Sequence, residues 1–300
     1  MRLSLGNDAR RPDCSQIKND YGGMSVETVG IIGVGLIGGS VALSAIRENY
    51  KVSLYDPQCA LDERFRGATR RDDLAGLAAA AQLIIIATPI SATVDVGRAL
   101  GQLVCADHVV SDIASVKAPI VKWLAKTFHG RCEYVPAHPM AGSEKSGSEF
   151  ARAELFEGAV NILCPEFALD AKTVERVANF WQRLGSRVVM LDAHTHDKAV
   201  GAISHLPHLL AAVLVNYAAN LALSPFDLAG AGFKDMTRIA AGSPALWEEI
   251  LWGNCVSIIE HLEAVRESLN DLLAIMKSDE SDKLRALLDE AKANRDKLTW

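Results

Sequence analysis

The chain has 300 residues, of which 49% are hydrophobic and 23% charged, and its formal net charge is −6. This length suits two domains of ordinary size, and the composition is typical of a soluble globular protein. The acidic balance argues against a nucleic-acid partner, because nucleic-acid phosphates require a basic surface. The six cysteines form no Cys-x-x-Cys pair and have no histidines at zinc-finger spacing, so no metal site is predicted.

Residues 1–24 are polar and show no periodicity, which predicts a flexible N-terminal extension. They contain no apolar core of a secretory signal. No uninterrupted apolar run in the chain reaches the roughly 18 residues that a membrane helix needs. We therefore expect a cytoplasmic protein that has no membrane partner.

Short apolar runs of strand length alternate with helical segments between residues 25 and 192. The predicted strands are Thr28–Ile32, Val52–Tyr55, Leu83–Ala87, Val109–Asp112, Tyr134–Ala137, Val160–Cys164 and Val188–Leu191. The predicted helices cover residues 38–47, 72–81, 93–104, 116–128 and 171–184. This alternation indicates parallel β-α-β units. We therefore predict an α/β fold in which residues 25–192 form a Rossmann-type, doubly wound sheet.

Strand signals nearly stop after Asp192, and apolar residues then recur at helical spacing. Examples are Leu209, Leu210, Val213, Leu214 and Tyr217. We therefore predict an all-helical domain over residues 193–300. Several of its helices are apolar around most of their circumference, and a domain of this size is too small to cover them alone. The surplus predicts a homodimer formed through the helical domain.

The sequence GVGLIG, which begins at Gly33, follows the first strand and opens the first helix. In this setting the G-x-G-x-x-G pattern predicts a dinucleotide site. Gly33 allows the tight turn, Gly35 lets the backbone approach a pyrophosphate, and Gly38 lets the helix pack against the strand. The free N–H groups at the start of the helix, around Leu36 and Ile37, are expected to face the phosphates.

Two polar residues follow later strands at the edge where ligands bind in such sheets. Asp56 ends the second strand, near the roughly 20-residue spacing expected for a carboxylate that binds the ribose hydroxyls. A carboxylate there repels a 2′-phosphate, and no arginine follows it before Arg64, so we predict NAD in preference to NADP. Thr88 follows the third strand and is expected either to line the cofactor channel or simply to end the strand.

Four further segments are unusually polar for their positions. They are SDIASVK from Ser111, HPMAGSEKSG from His138, SHLPH from Ser204 and GAGFKDMTR from Gly230. In order and spacing these segments resemble the prephenate/arogenate dehydrogenase family, from about residue 29 to about residue 252. The resemblance implies a Rossmann domain followed by a helical dimerisation domain. It also implies NAD-dependent oxidative decarboxylation of prephenate, arogenate or both, in tyrosine biosynthesis.

The resemblance further implies roles for single residues. His138 matches the catalytic histidine, whose neutral imidazole, with an ordinary pKa near 6.5, accepts a hydrogen bond from the ring hydroxyl. Ser115 matches the serine that contacts this hydroxyl and the nicotinamide region. Arg238 matches the arginine that clamps the side-chain carboxylate of the substrate, for which a planar guanidinium is suited. The other matches in the substrate pocket are His208, His205, Lys234 and Glu144.

Other interpretations stand beside these roles. His205 and His208 could be structural or could bind a metal, although no third ligand stands at a suitable spacing. His194 and His196, which precede them, are expected to lie in a surface turn. Trp247 matches an aromatic position found in part of the family, or it is a core residue of an amphipathic helix.

Alternative functions differ in which of these residues they need. A 4-amino-4-deoxyprephenate dehydrogenase would keep the same motifs. A β-hydroxyacid-type dehydrogenase would use a lysine such as Lys234, but it lacks the histidine motif that begins at His138. A non-catalytic NAD-binding regulator could lose His138, Ser115 and Arg238, yet all three are present.

Overall fold

The structure is a computed structural model that describes residues 28–59, 62–143, 145–221 and 226–298. Its described residues divide into two compact units, with the boundary between Asn254 and Cys255. The predicted extension over residues 1–24 lies outside the described residues. The predicted domain boundary after residue 192 falls within the first unit, immediately before a helix that begins at Ala193. That boundary stays a prediction.

A six-stranded parallel sheet forms the core of the first unit. Its strands are β1 Thr28–Ile32, β2 Lys51–Tyr55, β3 Ala68–Arg70, β4 Leu83–Ile86, β5 Val109–Asp112 and β6 Glu133–Tyr134. They lie in the order β3-β2-β1-β4-β5-β6, and every neighbouring pair is parallel. The strand order reverses at β1, which creates the switch point where dinucleotides bind in such sheets. The predicted doubly wound Rossmann-type fold is confirmed.

Helices cover both faces of this sheet. They are α1 Leu36–Arg47, α2 Leu74–Ala78, α3 Ile90–Leu100, α4 Ala118–Phe128 and α5 Ala171–Arg183. Side chains of β4 alternate between two apolar clusters: Leu83 and Ile85 join buried residues of α1 and α5, whereas Ile84 and Ile86 join those of α2, α3 and α4. A strand buried on both faces reads as a continuous apolar run, which explains why β4 was easy to predict.

The predicted strand Tyr134–Ala137 is in fact two strands in different sheets. β6 ends at Tyr134, whereas β7 Ala137–Pro139 pairs antiparallel with β8 Val160–Leu163, which pairs in parallel with β9 Arg187–Met190. Pro136 separates the two strands, and a proline lacks the N–H that would continue a ladder. β3 was not predicted because it has three residues and no apolar run.

After β9 the described chain is helical. The first unit is completed by α6 Ala193–Val200, a π-helical turn Gly201–His205, α7 Leu206–Ala219, α8 Ala231–Thr237, a 3-10 turn Arg238–Ala241 and α9 Pro244–Gly253. The second unit consists of α10 Cys255–Ser278 and α11 Ser281–Arg295. No strand occurs in the described residues beyond 190, in agreement with the predicted helical part.

One helical stretch, Ala193–Ala219, is long and apolar enough to span a membrane by length and composition, with a mean hydropathy of 1.5 in its 18-residue window. This stretch contains no uninterrupted apolar run, because polar residues interrupt it while its mean hydropathy stays high. A single helix of this kind is weak support for a membrane span. Three of its polar side chains, His196, Asp197 and His205, are buried in the protein, as expected of a core helix.

Candidate active site

Residues 33–38, here called the glycine loop, join β1 to α1. Gly33 has a φ of +92°, and a Cβ there would come within 2.7 Å of the backbone oxygen of Ala87. A Cβ on Gly38 would collide with the backbone oxygen of Gly33. At Gly35, by contrast, no described atom lies within 4 Å of the position that a Cβ would take. The loop is therefore tight at both ends and open in the middle.

Helix α1 begins at Leu36, and no side chain in the described residues caps its N-terminus. Its first backbone N–H groups, on Leu36 and Ile37, therefore remain for a ligand, and the helix dipole favours an anion at this end. The open position at Gly35 and the uncapped helix together fit the pyrophosphate of a dinucleotide.

Asp56 follows β2 and points its carboxylate at the glycine loop. Its Oδ2 accepts a hydrogen bond from the backbone N–H of Val34 at 2.8 Å, and its Oδ1 accepts those of Gln58 at 2.8 Å and Cys59 at 3.1 Å. Arg70, at the end of β3, donates from Nη2 to the backbone oxygen of Asp56 at 3.4 Å. Arg70 is not among the predicted site residues, because the strand that carries it was not predicted.

Thr88 follows β4 and is half-buried. Its hydroxyl oxygen lies 3.1 Å from that of Thr93, and the Thr93 hydroxyl also contacts the backbone oxygens of Thr88 at 3.2 Å and Pro89 at 3.0 Å. These contacts give Thr88 a local role in the turn into α3. A contact with a cofactor stays a prediction.

His138 is the central residue of β7, with 8% of its surface exposed. Its Nδ1 lies 2.8 Å from Nε2 of His196, and Nδ1 of His196 lies 2.8 Å from Oδ1 of Asp197. We call these three side chains the histidine relay. Asp197 is held in turn by the backbone N–H groups of Lys117 and Ala118, which donate to its two oxygens at 2.8 Å each.

The expected surface turn at His194 and His196 is wrong. Asp192 caps α6 by accepting a hydrogen bond from the backbone N–H of Thr195 at 2.9 Å, so this segment is helical. His196 is fully buried, whereas His194 is exposed. The buried positions of α6 are Ala193, His196, Asp197 and Val200. This spacing marks one face of a helix, and it is the sequence signal that could have placed His196 on a buried face.

The environment of His138 keeps its imidazole neutral. Burial lowers the pKa of His138 well below 6.5, and electrostatic interactions with His196, Lys117 and His205 lower it further. The loop after His138 lies against the start of α1, where a Cβ on Gly142 would lie 3.8 Å from Cδ1 of Ile37. The loop that follows this neutral acceptor therefore lies against the residues that open α1.

Ser115 is half-buried in the loop between β5 and α4. Asp112, at the end of β5, accepts a hydrogen bond from the backbone N–H of Ala114 at 3.1 Å and from the hydroxyl of Tyr134 at 2.6 Å, and it forms an ion pair with the ammonium of Lys117. Asp112 and Lys117 are fully buried. Burial also raises the pKa of Tyr134 well above 10, which keeps its hydroxyl a donor. This network fixes the loop that carries Ser115.

Two further histidines lie near the relay. His208 of α7 stacks on Trp247 of α9, with ring centroids 3.5 Å apart and an angle of 14° between the planes. Nδ1 of His208 is buried and has no partner among the described atoms. Nδ1 of His205 lies 3.1 Å from Nδ2 of Asn254, which also donates to the backbone oxygen of Asp197 at 2.7 Å. Burial lowers the pKa of His208, and it lowers that of His205 to about 4, so both rings are neutral at pH 7.

Arg238 begins the 3-10 turn after α8 and is exposed. Gly242 ends this turn beside the stacked rings: a Cβ there would lie 2.5 Å from Nε1 of Trp247 and 3.3 Å from Cε1 of His208. The turn that carries Arg238 therefore adjoins the His208–Trp247 pair.

Lys234 and Glu144 were the two other residues that the resemblance assigned to the substrate pocket. Lys234 is exposed on α8. Glu144 lies outside the described residues. Within the described ranges, no group of three or more His, Cys, Asp or Glu side chains is arranged to hold a metal ion.

Comparisons with known proteins agree in pointing to one family. The family model described as prephenate dehydrogenase, nucleotide-binding domain, matches residues 42–190, and that described as prephenate dehydrogenase, dimerization domain, matches residues 192–290. A cyclohexadienyl dehydrogenase of Zymomonas mobilis is 31% identical over 277 residues, which cover 89% of this chain and 94% of the relative. A prephenate dehydrogenase of Bacillus subtilis is 32% identical over 284 residues, which cover 91% of this chain and 76% of the relative.

A solved structure has the same architecture. It is the prephenate dehydrogenase of Aquifex aeolicus in complex with hydroxyphenyl propionate and NAD+, with 29% identity and a TM-score of 0.82. The match covers 90% of this chain and 98% of that chain. The fold that carries the glycine loop and the relay is therefore shared with a dehydrogenase that binds NAD+.

Proposed function

The chain belongs to the prephenate dehydrogenase family and is an NAD-dependent oxidoreductase that acts on prephenate, arogenate or both, and we propose roles for its residues in this reaction. The reaction is an oxidative decarboxylation. The observation that carries the assignment is the buried, neutral His138, which is hydrogen-bonded through Nδ1 and is followed by a loop that lies against the start of α1. A neutral histidine in this position suits a reaction that begins at a hydroxyl next to a nicotinamide.

Bound NAD would supply the acceptor for the hydride that leaves C4 of the substrate ring. The open backbone at Gly35 and the first N–H groups of α1 would hold its pyrophosphate. The carboxylate of Asp56 would accept hydrogen bonds from the ribose hydroxyls, which favours NAD over NADP.

In the proposed reaction, Nε2 of His138 accepts a hydrogen bond from the C4 hydroxyl and holds its proton as C4 gains carbonyl character. The hydroxyl of Ser115 orients the same group. The C1 carboxylate then leaves as CO₂, and the electron pair of the broken bond aromatises the ring. The proton returns to the oxygen of the resulting phenol.

The substrate is an anion, whereas the protein carries a net charge of −6, so attraction must come from local cations. We assign the side-chain carboxylate of the substrate to Arg238, beside the His208–Trp247 pair. The unpartnered Nδ1 of His208 supports a ligand at this place, because a buried polar atom without a partner is unfavourable. His205 and Lys234 are proposed to complete the pocket, with Glu144.

We further propose a cytoplasmic homodimer that assembles through the helical part. Val213 and Tyr217 of α7 are 62% and 65% exposed, although both are large and apolar, and a match to a dimerization domain covers this region. Clustered exposed apolar side chains are typical of a protein interface.

The decisive experiment measures reduction of NAD and of NADP by the purified chain with prephenate and with arogenate. We expect turnover with NAD and at least one of these substrates, accompanied by release of CO₂. Activity with neither substrate would contradict the proposal, and turnover of 4-amino-4-deoxyprephenate alone would redirect it to the amino analogue. The β-hydroxyacid alternative is less well supported, since its lysine, Lys234, is exposed on α8 whereas His138 is buried.

A further inference from the structure

We infer that His196 and Asp197 are positioning residues that fix the tautomer of His138 so that its Nε2 lone pair faces the substrate. The inference rests on the proposed role of His138. It concerns two residues whose hydrogen bonds lead from the imidazole of His138 to the start of α4.

The direction of the hydrogen bonds in the relay follows from Asp197. Its carboxylate accepts hydrogen bonds from the backbone N–H groups of Lys117 and Ala118, at the start of α4. An ionised carboxylate can only accept, and the N-terminus of a helix favours its negative charge. Nδ1 of His196, 2.8 Å from Oδ1 of Asp197, must therefore donate.

The tautomer of His138 follows from that of His196. When Nδ1 of a neutral imidazole carries the proton, Nε2 is an acceptor. Nε2 of His196 lies 2.8 Å from Nδ1 of His138, so Nδ1 of His138 donates to it. The proton of His138 is thus held at Nδ1, and Nε2 keeps its lone pair. This is the state that a hydrogen bond from the substrate hydroxyl requires.

Protonation of His196 would reverse the relay. A doubly protonated His196 donates from both nitrogens, so Nδ1 of His138 would become an acceptor and its proton would move to Nε2. The charged and titratable groups that surround His138 are His196, Lys117 and His205, with Asp197 behind His196. Nδ1 of His138 can therefore donate to His196 only while His196 is neutral.

The anchor of Asp197 also joins the two proposed reacting residues. Lys117, whose backbone holds Asp197, stands two positions after Ser115 in the same loop. The relay thus ties β7, α6 and the Ser115 loop together, so that displacement of Asp197 would misplace both the acceptor and the serine.

The test compares His196→Leu, His196→Gln and Asp197→Asn with His194→Gln, a control on the exposed side of the same helix. We expect His196→Leu to lower kcat with NAD and prephenate or arogenate by roughly 10–100-fold. This is the range for removing a hydrogen-bond partner that orients a histidine, as established for metal-bound histidines. The substrate KM should change by less than about threefold, since the effect lies in the reaction step.

The other variants separate tautomer control from simple packing. The side-chain oxygen of glutamine can still accept from Nδ1 of His138, so His196→Gln should recover much of the kcat lost in His196→Leu. Asp197→Asn should lower kcat as His196→Leu does, because an amide N–H opposite His196 favours the wrong tautomer. His194→Gln should resemble the parent protein. The affinity for NAD, measured by fluorescence titration, should be unchanged in every variant and so verifies the fold.

Nitrogen-15 NMR of histidine-labelled parent protein provides a readout that needs no variant. Near pH 7.5 we expect the His138 resonances, assigned by comparison with His138→Asn, to show a protonated Nδ1 and an unprotonated Nε2. A proton on Nε2, or equal kcat in His196→Leu and His194→Gln, would overturn the inference. A normal kcat in His138→Asn would instead contradict the proposed role of His138, so the two failures are distinguishable.

Discussion

Glu249 of α9 accepts two hydrogen bonds from Ser91 at the start of α3, one from its backbone N–H at 3.0 Å and one from its hydroxyl at 2.7 Å. The carboxylate thus caps the helix that follows the Thr88 turn. The C-terminal end of α9 is held as well, because a Cβ on Gly253 would lie 2.9 Å from Cγ2 of Val116. α9, which carries Trp247, is therefore held against the nucleotide-binding part of the first unit at Glu249 and at Gly253.

This arrangement predicts that Glu249→Ala loosens α9. We expect the free energy of unfolding to fall by about 1 kcal/mol, the usual cost of a lost helix cap. The substrate KM should rise more than kcat falls, because α9 positions Trp247 against His208 and not the reacting atoms. Glu248→Ala, an exposed neighbour, is the control for the lost charge and the helix propensity. Equal unfolding curves for the two variants would show that the contact with Ser91 contributes nothing.

A second prediction concerns the choice of cofactor. Asp56→Ser removes the carboxylate that repels a 2′-phosphate, while Arg70 remains beside it as a cation. We expect the ratio of kcat/KM for NAD to that for NADP to fall at least tenfold. NAD binding should weaken too, because Asp56 also holds the backbone N–H groups of Val34, Gln58 and Cys59.

The double variant Asp56→Ser/Arg70→Gln tests the contribution of Arg70. It should lose part of the NADP activity that Asp56→Ser gains, whereas Arg70→Gln alone should leave the activity with NAD almost unchanged. Comparable kcat/KM values for the two cofactors in the parent protein would contradict the assigned role of Asp56.

The features that sequence alone could predict are local ones. The glycine loop and Asp56 are visible because each follows a buried strand at a fixed spacing. The relay was missed because His138 and His196 are 58 positions apart, and only the packing of α6 against β7 brings them together. Arg70 was missed because its strand has three residues and depends on its neighbour β2 for pairing. Contacts of this kind are tertiary, and no spacing within one segment encodes them.

A third prediction concerns His138 itself. His138→Asn should lower kcat by roughly 10²–10⁴-fold, the range for a lost acid–base group, with little change in substrate KM. The surroundings of His138, which include His196, Lys117 and His205, lower its pKa well below 6.5. We therefore expect kcat to stay constant from pH 7.5 to below pH 6.5. A catalytic histidine with the ordinary pKa of 6.5 would instead make kcat fall near that pH. A near-normal kcat in the variant would exclude the role.

A fourth prediction concerns stability in acid. Folding lowers the pKa of His205 from 6.5 to about 4 and also lowers those of His138 and His208. The unfolded chain then binds protons more readily, so this stability is fully present above pH 6.5 and is lost as the pH falls towards 4. His205 alone accounts for about 3 kcal/mol at 1.36 kcal/mol per pKa unit.

Urea unfolding between pH 7.5 and pH 4 measures this dependence. His205→Gln should flatten the loss of unfolding free energy with falling pH, although the variant starts from a lower stability. His129→Gln, a change at an exposed histidine, should leave the slope unchanged. If the slope of His205→Gln equalled that of the parent protein, His205 would not be the group that titrates.

The last prediction concerns Arg238. A guanidinium that pairs with the side-chain carboxylate of the substrate binds the ground state and the transition state equally, because that carboxylate does not react. Such binding appears in KM and not in kcat. Arg238→Ala should therefore raise the substrate KM by roughly 10–100-fold, near the lower end of losses for charge pairs because the side chain is exposed.

Both kcat and the affinity for NAD should change in Arg238→Ala by less than about tenfold, which corresponds to 1.36 kcal/mol. Arg238→Lys should recover only part of the loss, because an ammonium cannot reproduce the two parallel hydrogen bonds of a guanidinium. Arg98→Ala removes an equal charge from an exposed arginine that pairs with Asp95, and it should leave KM unchanged. A collapsed kcat with a normal KM in Arg238→Ala would place Arg238 at the reacting end of the ring. The proposed orientation of the substrate, with its side chain towards the His208–Trp247 pair and its C4 hydroxyl towards His138, would then have to be reversed.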